Sequence, residues 1–410
     1  MSPVSPIDVA RVRAETPGVD HVLHLNNAGA ALPPRAVTEA VTAHLELEER
    51  IGGYEAYGER VDAIENTYDA LARLLNARAD EIALLDCATR AWDMAFYSLP
   101  LRAGDRILTS RSEYSSNFIA FLHLSRRVGV TVEAVPDDES GQLSLAALER
   151  AIGPDVKLIA VTHVPTSGGL VNPAAGIGRL ARAAGVPFLL DACQSCGQMP
   201  LDVAEIQCDM LSGTGRKYLR GPRGTGFLYV RKALLDRLDP PFLDDHAATW
   251  ITPERYVMRD DARRFETWES YVAGRIGLGV AVDYALAQGI EASFARIRHL
   301  AGRLRARLAG MGRISLHDQG REKCGIVTFS IAGMEADAVR EALRVRAINV
   351  TVSTRESTLI DMTARGLDRM VRASVHYYND EDEIDRFVAA LEQIMPRASR
   401  TGWQYEIPVR

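Results

Sequence analysis

Pro187-Phe-Leu-Leu-Asp-Ala-Cys-Gln-Ser-Cys-Gly-Gln-Met-Pro200 is the stretch whose reading decides the fold. Phe188, Leu189 and Leu190 form a short apolar run of the kind buried on both faces of a sheet, and Asp191 closes it. Gln194 falls just past the sheet edge. A second run, Asp209-Met-Leu-Ser-Gly213, leads into Thr214-Gly-Arg-Lys217. One strand thus ends in a carboxylate and its neighbour in a lysine. That pair is what a pyridoxal phosphate site requires. The lysine forms a Schiff base with the cofactor, and the carboxylate keeps the pyridine nitrogen protonated so that the ring accepts electrons. Thr214 and Arg216 are phosphate-type ligands beside Lys217.

Working outward, strands are expected at Ile82–Leu85, Arg106–Ser110, Thr131–Val135, Leu158–Thr162, Phe188–Asp191, Asp209–Ser212 and Gly226–Val230. Helical patterns lie between several of them, at Ala91–Ser98, Ser116–Val128 and Ala174–Ala184. Such alternation predicts an α/β fold with a mostly parallel seven-stranded sheet covered on both faces. Ligands of such sheets sit at the carboxyl ends of the strands, where Asp191 and Thr89 fall. After Phe265 come two long helices, Tyr271–Ala287 and Ile290–Ala309. A smaller α+β unit follows: strand Gly325–Ile331, helix Ala336–Val345, strands Ile348–Thr354 and Met370–Val375, and helix Asp380–Ile394. The division expected is a large domain at 20–289 and a small one made of 1–19 and 290–410.

A net charge of -6 argues against a nucleic-acid partner. The arginines of Arg296–Arg307 stand opposite an apolar stripe of Phe294, Ile297, Leu300, Leu304 and Leu308, so a solvated outer helix face is expected. No apolar run approaches a membrane span, and the cytoplasm is the expected location. Five cysteines are an odd, sparse set. Cys193 and Cys196 make a C-x-x-C without the second pair a zinc site wants, so no metal is expected.

Other constellations extend the site. Ile82–Leu85 ends in Asp86-Cys-Ala-Thr-Arg90 before a helix, whose free N–H groups at Ala88 and Thr89 favour a phosphate; a plain helix cap is the alternative. Glu113-Tyr-Ser-Ser-Asn117 follows another strand, and Tyr114 can stack on a pyridine ring or pack as a loop residue. His163-Val-Pro-Thr-Ser-Gly-Gly169 offers Thr166 or His163 to the cofactor. Arg372, inside the apolar strand Met370–Val375, needs an anionic partner, either a substrate carboxylate or a protein acid.

Together these pieces resemble the class V aminotransferase family of fold-type I pyridoxal phosphate enzymes, which includes cysteine desulfurases, selenocysteine lyases and cystine C–S lyases. The most specific stretches are Leu189–Pro200 with the Lys217 segment, Leu25-Asn-Asn-Ala-Gly-Ala-Ala-Leu-Pro-Pro34, and Arg372-Ala-Ser-Val-His-Tyr-Tyr-Asn379. The resemblance implies that Asp191 pairs with the pyridine nitrogen, Gln194 contacts the ring oxygen and Lys217 carries the cofactor. It implies that Thr89, Thr214 and Arg216 hold phosphate, that Tyr114 replaces a stacking histidine, and that Asn27, Ala28 and Arg372 lie near the substrate. It also implies a homodimer whose sites are completed by the partner subunit. Tyr54 and Arg355 are further candidates, the first in a lid and the second for an anionic group of the substrate.

Two departures bear on function. Desulfurases take sulfur onto a cysteine in a small-lobe loop, because a thiolate must attack the substrate sulfur. The corresponding stretch here, Asn349–Asp361, has none, and Cys324 is the lobe's single cysteine. Trp268 and Glu269 also replace a small Gly-Thr turn that reaches the partner's phosphate. The expected function is therefore a C–S lyase acting by β-elimination on a cysteine derivative (cystine, a cysteine S-conjugate or a cysteine sulfoxide) as its amino-acid substrate, with an aminotransferase or epimerase as the alternative and a desulfurase less favoured.

Overall fold

The computed structural model describes residues 6–395 of the chain; the expected small-domain residues 1–5 and 396–410 lie outside them. Seven strands make the central sheet: β1 (Ile82–Leu85), β2 (Arg106–Ser110), β3 (Thr131–Val135), β4 (Val156–Thr162), β5 (Phe188–Asp191), β6 (Met210–Thr214) and β7 (Gly226–Val230). Their order across the sheet is β1-β7-β6-β5-β4-β2-β3, and β7 alone runs against the rest. Five of the seven expected spans coincide residue for residue. The others differ in length at an end or by a one- or two-residue shift.

The strands of the middle are apolar on both faces because helices cover both. One core joins Leu190, Phe188 and Leu211 to helices Val61–Leu75 and Ala174–Ala184. Another joins Leu189, Met210 and Leu228 to helices Ala88–Tyr97 and Ser115–Val128.

The C-terminal lobe holds a four-stranded antiparallel sheet, β8 (Ile314–Leu316), β9 (Ile326–Ile331), β10 (Thr351–Thr354) and β11 (Arg369–Ser374), in the order β8-β9-β11-β10. The expected single strand Ile348–Thr354 is split. Ile348 and Asn349 pair in parallel with Leu23 and His24, whereas β10 pairs with β11. That pairing ties the N-terminal segment to this lobe, and Leu23, Leu25 and Ala28 share its core. The arginine-bearing helix Ile290–Ala309 buries Ile297, Leu300, Leu304 and Leu308 as expected. Its arginines are not simply solvated, however. Arg296 pairs with Glu381, Arg303 and Arg307 pair with Asp385, and Arg305 turns inward to Asp318. Among the described residues no helix is long and apolar enough to cross a membrane.

Candidate active site

β5 delivers Asp191 and β6 runs on to Lys217, so the carboxylate and the amine meet at one sheet edge. Asp191 is buried. Its Oδ2 accepts from Asn117 Nδ2 at 3.0 Å and its Oδ1 from the backbone N–H of Cys193 at 2.9 Å. Among the described residues no arginine or lysine forms an ion pair with it, so the carboxylate is held in place yet left open to a cation. Lys217 makes no hydrogen bond there either. Burial pulls its amine below the ordinary lysine value. Cys193 and Asp191 oppose that fall, while the positive charges of Arg216 and Arg372 add to it. The balance draws the amine toward its neutral, nucleophilic form.

The phosphate end rests on a helix start. Cys87 caps helix Ala88–Tyr97 without a side-chain hydrogen bond, and the N–H groups of a helix's first turn are suited to an anion. Thr89 lies exposed in that turn, beside Ala88. Gly226 pairs with Thr214 across β6 and β7. A Cβ on Gly226 would come within 2.4 Å of the Cys87 carbonyl carbon and 2.7 Å of the Ala88 nitrogen. Only glycine permits that approach, and it brings the buried Thr214 beside the helix start. Arg216 does not join this group through its hydrogen bond. It donates to the carbonyl of Gly29 in the N-terminal loop.

At the opposite end of the site Arg372 enters from β11. It is 7 % exposed, and burial lowers its guanidinium to about 10. It donates to the Thr166 hydroxyl, to the Thr166 carbonyl at 3.3 Å and to Asn26 Oδ1 at 3.5 Å. Its Nε has no partner, and no carboxylate pairs with it among the described residues. Thr166, expected at the cofactor, therefore sits with the guanidinium. Tyr114 lies near Arg372. Gln194 Nε2 donates to the Ala28 carbonyl at 3.1 Å, and Ala28 N–H donates to Ser374 Oγ at 2.9 Å, so Ala28 links the two halves of the site.

Other expected residues are placed elsewhere. Asn27 is fully buried and its amide is committed: Nδ2 donates to Ser374 O at 2.7 Å and His24 O at 3.2 Å, and Oδ1 accepts from Tyr378. It latches the N-terminal loop to β11 rather than presenting a free group. Arg355 pairs with Asp368 at 2.9 Å, so its charge is already matched by a protein acid. Tyr54 is 78 % exposed on the short helix Gly53–Glu59, beside Tyr57 and Trp268. His163 lines a cleft with Met199, Leu201 and Phe294, and burial holds its ring down at about 4. Reading the sequence missed Asn26, Glu113, Asn117 and Cys193. Glu113 and Asn117 stand four apart where a helix begins, but polar residues at a loop–helix junction carry no mark distinguishing a site from a cap.

The profile of the class-V aminotransferases matches residues 23–387. The chain belongs to the class-V aminotransferase family. A probable cysteine desulfurase of Xylella fastidiosa is 33% identical over 409 residues, covering 96% of each chain. The apo cysteine desulfurase of Thermococcus onnurineus superposes with a TM-score of 0.88 at 26% identity, over 96% of this chain and 99% of that one. The cystine C–S lyase C-DES, solved with its reaction product cysteine persulfide, shares the fold at a TM-score of 0.84 and 24% identity, over 93% of this chain and all of that one. Another structure of that lyase carries glycine linked to its pyridoxal phosphate.

This class-V enzyme uses pyridoxal phosphate, and the residues present fit it. Asp191 is an unpaired buried carboxylate, as a ring nitrogen requires. Gln194 Oε1 is a buried acceptor with no donor among the described residues, which a ring hydroxyl would satisfy. Thr214 and the first turn at Ala88 and Thr89 form an anion cradle.

Proposed function

We propose that this enzyme cleaves a carbon–sulfur bond by β-elimination from a cysteine derivative such as cystine, a cysteine S-conjugate or a cysteine sulfoxide. The products would be pyruvate, ammonia and a sulfur compound. One observation carries the choice: the small lobe has no thiol fit to accept sulfur. Asn349–Asp361 contains no cysteine. Cys324 is fully buried, its sulfur accepts from the Ile326 N–H at 3.5 Å, and burial pushes its thiol up to about 11. Sulfur transfer needs a thiolate that reaches the substrate. Cys193, near Lys217, is also held protonated by burial, well above the ordinary thiol value.

In this reading Asp191 faces the ring nitrogen, with Asn117 and the Cys193 N–H holding its angle. Thr214 and the Ala88–Thr89 turn bind phosphate. Arg372 receives the α-carboxylate on the edge that includes its free Nε, while Thr166 keeps the guanidinium in place. Lys217 would remove the Cα proton of a bound substrate, a role favoured by its lowered proton affinity. Bound pyridoxal phosphate supplies the electron sink for that step. Tyr114 covers the site and excludes water. A second subunit completes the assembly, covering exposed aromatic side chains such as Trp250 and Tyr54.

The second reading, a desulfurase, is favoured by the names of the relatives. Incubating the pure enzyme with cysteine and a panel of cysteine derivatives separates the two. Pyruvate with ammonia is expected; alanine as the main product would replace elimination by desulfuration, and a demand for an added keto acid would indicate amino transfer. Cys324→Ser should leave turnover within a few-fold. Loss of activity together with a trapped persulfide on Cys324 would end the elimination reading.

A further inference from the structure

Two carboxylates lie behind the ring position, joined by one amide. Asn117 Nδ2 has two hydrogens. One goes to Glu113 Oε1 at 2.8 Å and the other to Asp191 Oδ2 at 3.0 Å. Glu113 is 3 % exposed and belongs to the turn after β2. Its Oε1 also accepts from the Tyr114 N–H at 3.0 Å and from the Thr162 hydroxyl. Its Oε2 accepts from Thr109 Oγ1 at 3.0 Å and the Thr162 N–H at 2.9 Å. Thr162 pairs directly with Asp191 across β4 and β5. Three of these donors, two backbone N–H groups and an amide, have no accepting alternative. A proton on Glu113 would have to displace one of them or reverse a threonine hydroxyl. Burial and the charge of Asp191 push the carboxyl up, and the hydrogen bonds from Thr162 and Asn117 pull against that rise. The net direction is upward, but three donors that cannot accept favour the ionised form, since a carboxylate accepting several N–H bonds is stabilised in it.

We propose that Glu113 is a positioning residue that, through Asn117, fixes the Asp191 carboxylate and raises the proton affinity of the cofactor's ring nitrogen. This rests on the assignment of Asp191 to that nitrogen. An isolated carboxylate next to a pyridinium can swing away or share its proton. Asp191 cannot rotate without breaking its bonds to Asn117 and Cys193, and a second negative charge behind it makes loss of the ring proton less favourable. The other charged or titratable groups acting around Asp191 are Lys217, Cys193 and Cys196.

The same five acceptor bonds tie β2, β4 and the helix Ser115–Val128 together, so a purely structural role is the rival account. Pyridoxal phosphate labelled with ¹⁵N at the ring distinguishes them, because the nitrogen shift in NMR reports protonation without turnover. Wild-type holoenzyme should show a protonated nitrogen at pH 8. Asn117→Ala leaves Glu113 bonded to the strands and should keep the apo melting temperature within a few degrees. It should nevertheless weaken cofactor binding roughly ten-fold or more and lower the pH at which the ring nitrogen loses its proton. Glu113→Gln should produce the same nitrogen shift, whatever its effect on stability. If both variants keep the wild-type nitrogen signal and cofactor affinity, the proposal is overturned and Glu113 is structural. A wild-type ring nitrogen that is already unprotonated would instead remove the Asp191 assignment, a separate failure visible before any variant is made.

Discussion

A guanidinium buried without an acid destabilises the protein that holds it, and Arg372 is in that condition until an anion arrives. Two outcomes should follow from one residue. Arg372→Ala should lower kcat/KM on α-amino acids by roughly thirty- to thousand-fold, about 2–4 kcal/mol at ~1.4 kcal/mol per decade. Lysine should rescue only part, because a point charge does not reproduce the planar fork. Arg372→Met should melt higher than the ligand-free wild type, since it removes an unpaired buried charge at similar volume. Calorimetry with and without a substrate analogue tests this; a lower melting temperature would mean the guanidinium is already satisfied. Asp137 is a second uncomfortable charge, with a buried Oδ1 that lacks a partner. Burial raises its carboxyl from 3.8 to about 6. The sign is that of a raised acid: below about pH 4 the group is protonated folded or unfolded and costs nothing. Between about pH 4 and 6 the unfolded chain ionises it while the folded state keeps the proton, so stability falls across that window and is level above it. Asp137→Asn should therefore stabilise the protein at pH 7.5, on the order of 2 kcal/mol, and gain little at pH 4. Urea unfolding at the two pH values measures the difference.

Among the elements, the helix Ala174–Ala184 shows how packing reverses a propensity. Alanine for glycine inside a helix ordinarily stabilises by about 0.5–1 kcal/mol. A Cβ on Gly178 would stand 1.8 Å from the Ile206 carbonyl oxygen and 2.9 Å from its carbon. Both belong to backbone, which cannot swing aside as a side chain would. Gly178→Ala should thus destabilise by more than about 2 kcal/mol as the helix is forced off Val203–Ile206. Thermal unfolding of the single variant is the check, and a stabilised protein would contradict the packing described. The split of Ile348–Thr354 belongs to the same scale. Its residues have uniform β character, so periodicity alone reads one strand. The break reflects partners: Leu23–His24 claims one half and β11 the other.

For the whole molecule, the distribution of exposed aromatic surface is the leading observation. Trp250 and Tyr256 on the hairpin Ala248–Met258, with Phe242, Trp268 and Tyr54, are all more than half exposed. Large apolar groups seldom remain in water on this scale without a partner. The protein should sediment as a dimer at micromolar concentration, and Trp250→Glu should shift it toward monomer while weakening cofactor retention. A monomeric wild type in analytical ultracentrifugation would remove the second-subunit account. Read from the sequence alone, the order of strands and helices, the burial of the sheet on both faces, and the placing of Asp191 and Lys217 at one edge were all legible. Those features follow from local apolar runs and from the rule that strand ends gather ligands. The tertiary structure decided the rest. It turned Arg216 to Gly29, matched Arg355 with Asp368, sealed Asn27 into a latch, and joined Glu113 to Asp191 through Asn117. Each of these is a choice among polar partners far apart in the chain. A polar side chain carries no periodicity that says whom it will meet, so only the folded geometry selects its partner.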